Sequence, residues 1–268
     1  MKKSLCFLGL LILVLAAWEP LFAYDTSPSN LQIVPEAIYA AATGGGTWVT
    51  ELQILSVALT PADVLVYLAY SGGSTASFQV CTGLEPYHSV KFTNILSTLD
   101  ALDSSSFIYY GRVGTLWIST VDSNSRIQVQ AKTVNGNYGK TFPGLNIVTG
   151  NTAALGRSMI FLDVVRNATY RTFIGAYNTG SAPFTVRFMI LTGDNGLVGY
   201  FDKTLPANAF ISFNPFTEAG APAGDYDNCW LTVDVMSGAT GANGVMCFGS
   251  IANNYTNDTY ALIARMWN

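Results

Sequence analysis

One short stretch is written twice in this chain. Gly46-Thr47-Trp48-Val49-Thr50-Glu51-Leu52-Gln53-Ile54 places an aromatic and a threonine ahead of alternating apolar residues, and Ala168-Thr169-Tyr170-Arg171-Thr172-Phe173-Ile174-Gly175-Ala176 repeats that order of residue types. A repeat of this kind points to two similar domains, and 268 residues are enough for two of ordinary size. Other segments correspond in the same order. Ala62 to Tyr67 falls against Ala182 to Arg187, Val90 to Ile95 against Ile211 to Phe216, and Leu116-Trp117-Ile118 against Trp230-Leu231-Thr232.

Between these landmarks the pattern is that of short strands. Trp48, Leu52 and Ile54 share one face of a strand, with Val49, Glu51 and Gln53 on the other. Val64 to Tyr70 is almost wholly apolar and reads as a buried strand. Further strands are expected at Ser77 to Thr82, His88 to Phe92, Phe107 to Val113, Thr115 to Val121 and Arg126 to Val134. In the second half they fall at Ser158 to Val165, Arg171 to Tyr177, Phe184 to Leu191, Leu197 to Leu205 and Phe210 to Phe213. Asp194-Asn195-Gly196 is a hairpin turn, since Asn and Gly tolerate the positive φ it needs. Asn94 to Leu102 alone suits a short helix. The fold class is therefore all-β: two tandem antiparallel, Ig-like β-sandwich domains. The expected boundaries are a leader over 1–23, an extended segment or edge strand over 24–34, one sandwich over 35–142 and a second over 143–268.

The leader assignment rests on Met1-Lys2-Lys3, the apolar run Leu5 to Ala17, and Leu21-Phe22-Ala23 as a cleavage site, which together make a secretory signal peptide. The mature chain then begins near Tyr24, with no membrane span left after processing, and is expected outside the cell or on its surface. Charged residues are only 11% of the chain, against about 25% in ordinary proteins, and the net charge is −4. With no block of Lys or Arg there is no electrostatic footprint for nucleic acid. Such a charge-poor surface suits a wall, matrix or assembly protein.

Cys229 and Cys247 flank a Gly-rich turn, Ser237 to Gly241, in what reads as a hairpin, so a disulfide between them is expected in an exported chain. Cys81 is left over and reads as a buried thiol. Asn167, Asn254 and Asn257 each stand in an Asn-x-Ser/Thr glycosylation pattern in loops. Leu31 to Val34 reads as an edge strand held there by Pro35, and Leu31, Ile33 and Val34 make it the candidate strand to add to a neighbouring molecule's sheet.

The pattern Arg171-Thr172-Phe173-Ile174-Gly175-Ala176-Tyr177-Asn178, followed by Pro183-Phe184-Thr185-Val186-Arg187, resembles the tandem β-sandwich repeat proteins secreted by environmental bacteria. Asn137-Tyr138-Gly139-Lys140-Thr141-Phe142-Pro143-Gly144 resembles the linker between their repeats. The first copy departs from the pattern, with Val49-Thr50-Glu51 where it has Arg-Thr. The resemblance implies fold and export, and brings no catalytic signature.

Nothing in the residues assembles an active site. His88 is the single histidine, no Gly-x-Ser-x-Gly elbow exists, and Glu36, Glu51, Glu85 and Glu218 stand in no acid/base motif. Asp225-Tyr226-Asp227-Asn228 reads as a turn ahead of a strand, and no cofactor or metal is expected. Trp117 and Trp230 read as core residues of the two repeats. Two functional readings follow. The first is a non-catalytic exported structural or adhesive protein, a self-assembling subunit of a fibre or surface layer, with itself or cell-surface and matrix components as partners. The second is a carbohydrate-binding module that uses surface aromatics.

Overall fold

The computed structural model describes residues 25–42, 45–147, 151–238 and 244–267. The expected signal peptide, its cleavage site and Tyr24 lie outside the described residues. The first unit comprises β1 (Leu31–Ala41), β2 (Thr47–Ser56), β3 (Ala62–Tyr70), β4 (Gly73–Ser74), β5 (Phe78–Leu84), β6 (Ser89–Phe92), helix α1 (Ile95–Leu102), β7 (Arg112–Thr120), β8 (Ile127–Asn135) and β9 (Tyr138–Pro143). The second comprises β10 (Ser158–Arg166), β11 (Tyr170–Asn178), β12 (Phe184–Thr192), β13 (Leu197–Leu205), β14 (Phe210–Phe213), helix α2 (Pro215–Glu218), β15 (Tyr226–Ser237), β16 (Val245–Asn253), β17 (Thr259–Ile263) and β18 (Arg265–Trp267).

The strand orders are β4-β3-β7-β1-β2-β8-β9 and β13-β12-β15-β10-β11-β16-β17, with β6 on β2 and β14 on β11. The two units thus share one topology, and the repeat seen in the sequence is a repeat of strands β2 and β11. Each continuous ladder folds over into a sandwich at one corner. β1 pairs with β2 only at Ala40 and Ala41, then leaves it for β7, and β10 pairs with β11 only between Arg166 and Arg171.

Where two strands part, one backbone N–H and one C=O lose their ladder partners inside the protein, and both need replacements. The repeated threonine supplies them. Thr50 Oγ1 accepts from Ile38 N–H at 2.7 Å and donates to Ile38 C=O at 3.2 Å. Thr172 Oγ1 does the same for Val165, at 2.9 and 2.8 Å. Both threonines are fully buried. Below each corner lies a separate core. Leu52, Ile54, Val64, Val66, Leu116, Ile118 and Val129 meet in the first; Ile174, Val186, Phe188, Ile190, Leu231 and Val233 meet in the second.

A third apolar cluster joins the units. Ile33, Ala69, Phe142 and Leu145 of the first pack on Tyr177, Phe210, Met246 and Phe248 of the second. The outer face of β3-β7-β1 is thereby laid against the outer face of β14-β11-β16. Gly175 permits this: a Cβ there would overlap the Phe248 ring, which stacks on Phe210 at 5.7 Å.

Several expectations are corrected. Leu31, Ile33 and Val34 do not form a spare edge: Leu31 to Val34 pair with Ser119 to Leu116 of β7, and Ile33 and Val34 are fully buried. Pro35 is accommodated by a bulge between Val34 and Ala37 and does not end the strand. Residues 25–29 are also tied down: Asn151 Nδ2 donates to Asp25 C=O at 3.0 Å and to Asn146 C=O at 2.7 Å. The stretch expected as a linker, Asn137 to Gly144, is mostly strand β9, and Phe107 to Gly111 is irregular where a strand was expected.

Cys229 and Cys247 are not disulfide-bonded. β15 lies between β12 and β10, whereas β16 lies between β11 and β17. The two strands therefore do not pair with each other, and the expected hairpin is absent. Trp117 and Trp230 lie outside the sandwich cores. Trp117 stacks on Tyr67 at the joint between units, and Trp230 meets Trp267 on an outer face.

Replacing Thr50 or Thr172 by Val strands one N–H and one C=O at each corner. Each variant is expected to lose about 2 kcal/mol in urea denaturation, and the Ser variants to retain most of the stability.

Candidate functional site

Beside the apolar joint, the two units part to leave a groove. One part of it, about 250 Å³, is lined by Glu36, Ile38, Trp48, Val113, Thr133 and Lys140 from the first unit and by Arg171, Phe173, Ser212, Ser250, Ala252, Asn257 and Thr259 from the second. A second part, about 380 Å³, is lined by Tyr70, Ser71, Gly111, Arg112 and Val113 on one side and Phe173, Phe210, Ser212 and Phe213 on the other. The two share Val113, Phe173 and Ser212, so they are continuous.

The strand geometry explains who points in. β2 and β11 are equivalent strands, and on each the threonine faces inward while its neighbours face outward. In the first unit the outward neighbours of Thr50 are Val49 and Glu51; in the second those of Thr172 are Arg171 and Phe173. The outer face of β2 looks away from the joint, and Glu51 there pairs with Lys91 at 2.9 Å. The outer face of β11 looks into the groove, which is why the second copy carries Arg and an aromatic where the first does not.

Glu36 reaches the groove because the bulge at Val34 to Ala37 shifts the phase of β1. Its carboxylate lies 2.6 Å from Lys140 Nζ, with both side chains buried, and Lys140 also sits 5.6 Å over the Phe142 ring. A charge withdrawn from water this far needs its partner. Arg171 is oriented by neutral groups: its Nη atoms donate to Asn254 Oδ1 at 2.7 Å and Asn257 Oδ1 at 3.2 Å, and its guanidinium lies 5.6 Å from the Phe173 ring. Arg112 lies between the Tyr70 and Phe107 rings, at 5.4 and 5.1 Å, and donates from Nε to Ile108 C=O at 3.1 Å.

The three sequon asparagines come together at one end of this groove. Asn167 accepts from Thr169 and Tyr170 N–H and donates to Asp227 at 2.6 Å. Asn254 donates to the carbonyls of Asn167 and Ala168. Their carboxamides thus shape the loops that hold Arg171. Asp227, from the stretch Asp225 to Asn228, serves Asn167, and among the described residues no three His, Cys, Asp or Glu side chains cluster to hold a metal. His88 is exposed on a loop.

Sequence reasoning passed over Glu36, Lys140, Arg112 and Arg171 as a group. Arg171 stood in the quoted motif, and its outward position beside an inward threonine was the available signal. The other three depend on the bulge and on how the units stack, which no local pattern records.

No family model and no curated protein matches the chain. Among solved structures, a lectin from Pleurotus ostreatus in complex with GalNAc is 10% identical, with a TM-score of 0.21 over 91% of this chain and 86% of the lectin. The structure of infectious bursal disease virus Gx strain is 8% identical, TM-score 0.23, over 92% and 73%. A glycosyl hydrolase family 2 member from Bacteroides cellulosilyticus is 9% identical, TM-score 0.17, over 91% and 30%. At such scores these matches carry no function over to this chain.

Replacing Lys140 by Met leaves Glu36 buried without its cation. The variant is expected to lose about 3 kcal/mol in urea denaturation, and Glu36→Gln added to it to restore part of the loss. Burial pushes the thiols of Cys81, Cys229 and Cys247 up, Asp63 and Asp227 adding to the first two. Reduction should leave the intact mass unchanged, and alkylation of the native protein should reach the partly exposed Cys81 before the two core cysteines.

Proposed function

We propose that this chain is an exported, non-catalytic adhesive protein whose two β-sandwiches bind carbohydrate in the groove between them. The observation that carries this reading is the juxtaposition, across one groove, of the aromatic side chains Trp48 and Phe173 with the hydrogen-bonding groups of Arg171, Ser212, Ser250 and Thr259. Sugar rings present apolar C–H faces and a rim of hydroxyls, and a cleft with aromatic walls and a few polar groups matches both.

Glu36 is the one carboxylate among the described lining residues, and Lys140 holds it. Glycoside hydrolysis uses two carboxylates flanking the scissile bond, so the lining supports binding without turnover. The charge-poor composition and the Met1 to Ala23 pattern support export, as does the resemblance to secreted tandem β-sandwich proteins.

Assembly into a fibre has less support than adhesion. The segment Leu31 to Val34 is committed to its own sheet. The outer faces left free carry Glu51, Gln53, Lys91, Gln130 and Lys132 in the first unit and the Arg187–Asp202 ion pair, 2.8 Å, in the second. Polar faces of this kind end a stack of sandwiches and keep edges from pairing.

Affinity electrophoresis of the mature protein through a panel of polysaccharides should find retarded migration in at least one. Trp48→Ala and Phe173→Ala should each weaken that binding about tenfold, while Arg187→Ala on the far face should not. Undiminished retardation of the Trp48→Ala, Phe173→Ala double variant would remove the groove from the function.

A further inference from the structure

We infer that the groove takes an acidic saccharide, one whose rings carry carboxylates, with Arg112 and Arg171 as the two carboxylate receptors. This rests on the carbohydrate reading above and names the ligand class for the same groove.

The inference comes from how the cations of this chain are used. Lys91, Lys140, Arg187 and Lys203 are each ion-paired, with Glu51, Glu36, Asp202 and Glu218 respectively, while Arg126 and Arg166, outside the groove, meet backbone carbonyls. The chain carries 17 acidic against 13 basic residues, so acids to pair with are in excess. Yet the two arginines in the groove face no carboxylate among the described residues. Arg112 spends only its Nε, on the carbonyl of Ile108, and its two Nη groups have no protein acceptor there. Arg171 meets only the neutral carboxamides of Asn254 and Asn257.

Each guanidinium is nonetheless held in place. Arg112 sits between Tyr70 and Phe107, and Arg171 lies against Phe173. A fixed planar fork with charge uncompensated is what bidentate binding of a carboxylate requires, and a lysine would not provide it. Counting the whole lining, three cations, Lys140, Arg112 and Arg171, stand against the single carboxylate of Glu36. Arg171 belongs to one part of the groove and Arg112 to the other, with Phe173 shared between them, so a chain of rings lying along it passes both. A polar position also stands ready: Thr259 Oγ1, at the Arg171 end, is buried without a hydrogen-bond partner among the described residues.

The same charges would attract an acidic peptide. The aromatic side chains Trp48, Tyr70 and Phe173 in its lining favour rings over an extended backbone, and the saccharide is the occupant we assign.

The test is calorimetric titration of the mature protein with trigalacturonate, with its methyl ester and with tetraglutamate. Trigalacturonate is expected to bind at least about tenfold more tightly than the ester, and more weakly as salt is raised. Arg112→Gln and Arg171→Gln should each abolish most of that preference, with affinity for the acid falling much further than affinity for the ester. Equal binding of acid and ester, unaffected by either arginine variant, would overturn the acidic assignment and leave carbohydrate binding standing. Tetraglutamate binding as tightly as trigalacturonate would also overturn it, in favour of a peptide. Failure of both saccharides to bind would overturn this inference, and the polysaccharide panel then decides the carbohydrate reading by itself.

Discussion

Both sandwiches depend on a threonine hydroxyl at a point where two strands separate. A sandwich needs its ladder to turn a corner, and a corner turns backbone groups toward an apolar core. Thr50 and Thr172 each satisfy one N–H and one C=O across that gap, and a β-branched residue suits the strand on which it sits. With the corner closed in this way, β1 and β10 are free to run to the opposite sheet, and the two sheets can face each other. The repeat is short because only this corner, and the alternation that follows it, has to be specified twice.

The units then stack by unlike faces. The front sheet of the first lies on the back sheet of the second, and the contact is built from residues that alternate outward from their own cores: Trp117, Tyr67 and Ile33 against Tyr177, Phe210 and Phe248. Trp117 approaches Tyr177 edge to face, 5.9 Å between ring centres, and burial pushes the Tyr67 and Tyr177 hydroxyls up. Because the two units contribute non-equivalent sheets to the contact, equivalent positions have unequal fates. Gln53 faces solvent, while its counterpart Gly175 lies against an aromatic stack and has no room for a side chain. The divergence of the two copies is the record of this asymmetric contact.

The groove is a by-product of that stacking. The two sandwiches touch through one apolar cluster, and beside it residues of both units line an open space. What makes this space a site is its lining: a neutralised Glu36–Lys140 pair within it, aromatic walls, and guanidinium groups positioned by rings and carboxamides. Each of these groups is rigidly held by strands or by short hydrogen-bonded loops, so the groove is largely formed before any ligand arrives.

Much of the architecture was legible in the residues. Strict alternation located most strands, the duplicated Thr-aromatic-x-Thr stretch revealed two units, and Asn94 with three leucines marked the first helix, whose N-terminus its side chain caps. These features are local, and local periodicity is set by the chain itself. The Gly-rich turn before Cys247 told only that the chain bends, since whether its flanks pair or part depends on distant strands that compete for the same edges. Likewise Pro35 marked an irregularity in β1 without saying that it would be absorbed as a bulge that turns Glu36 toward Lys140. The sequence by itself determined the all-β class, the repeat and the alternation that marks its strands, because a two-residue period is a property of neighbours along the chain. Tertiary structure alone decided the sheet order, the commitment of Leu31 to Val34 to its own sheet, and the meeting of Arg112, Arg171 and the Glu36–Lys140 pair in one groove, because those contacts join residues far apart in sequence through the packing of whole sheets.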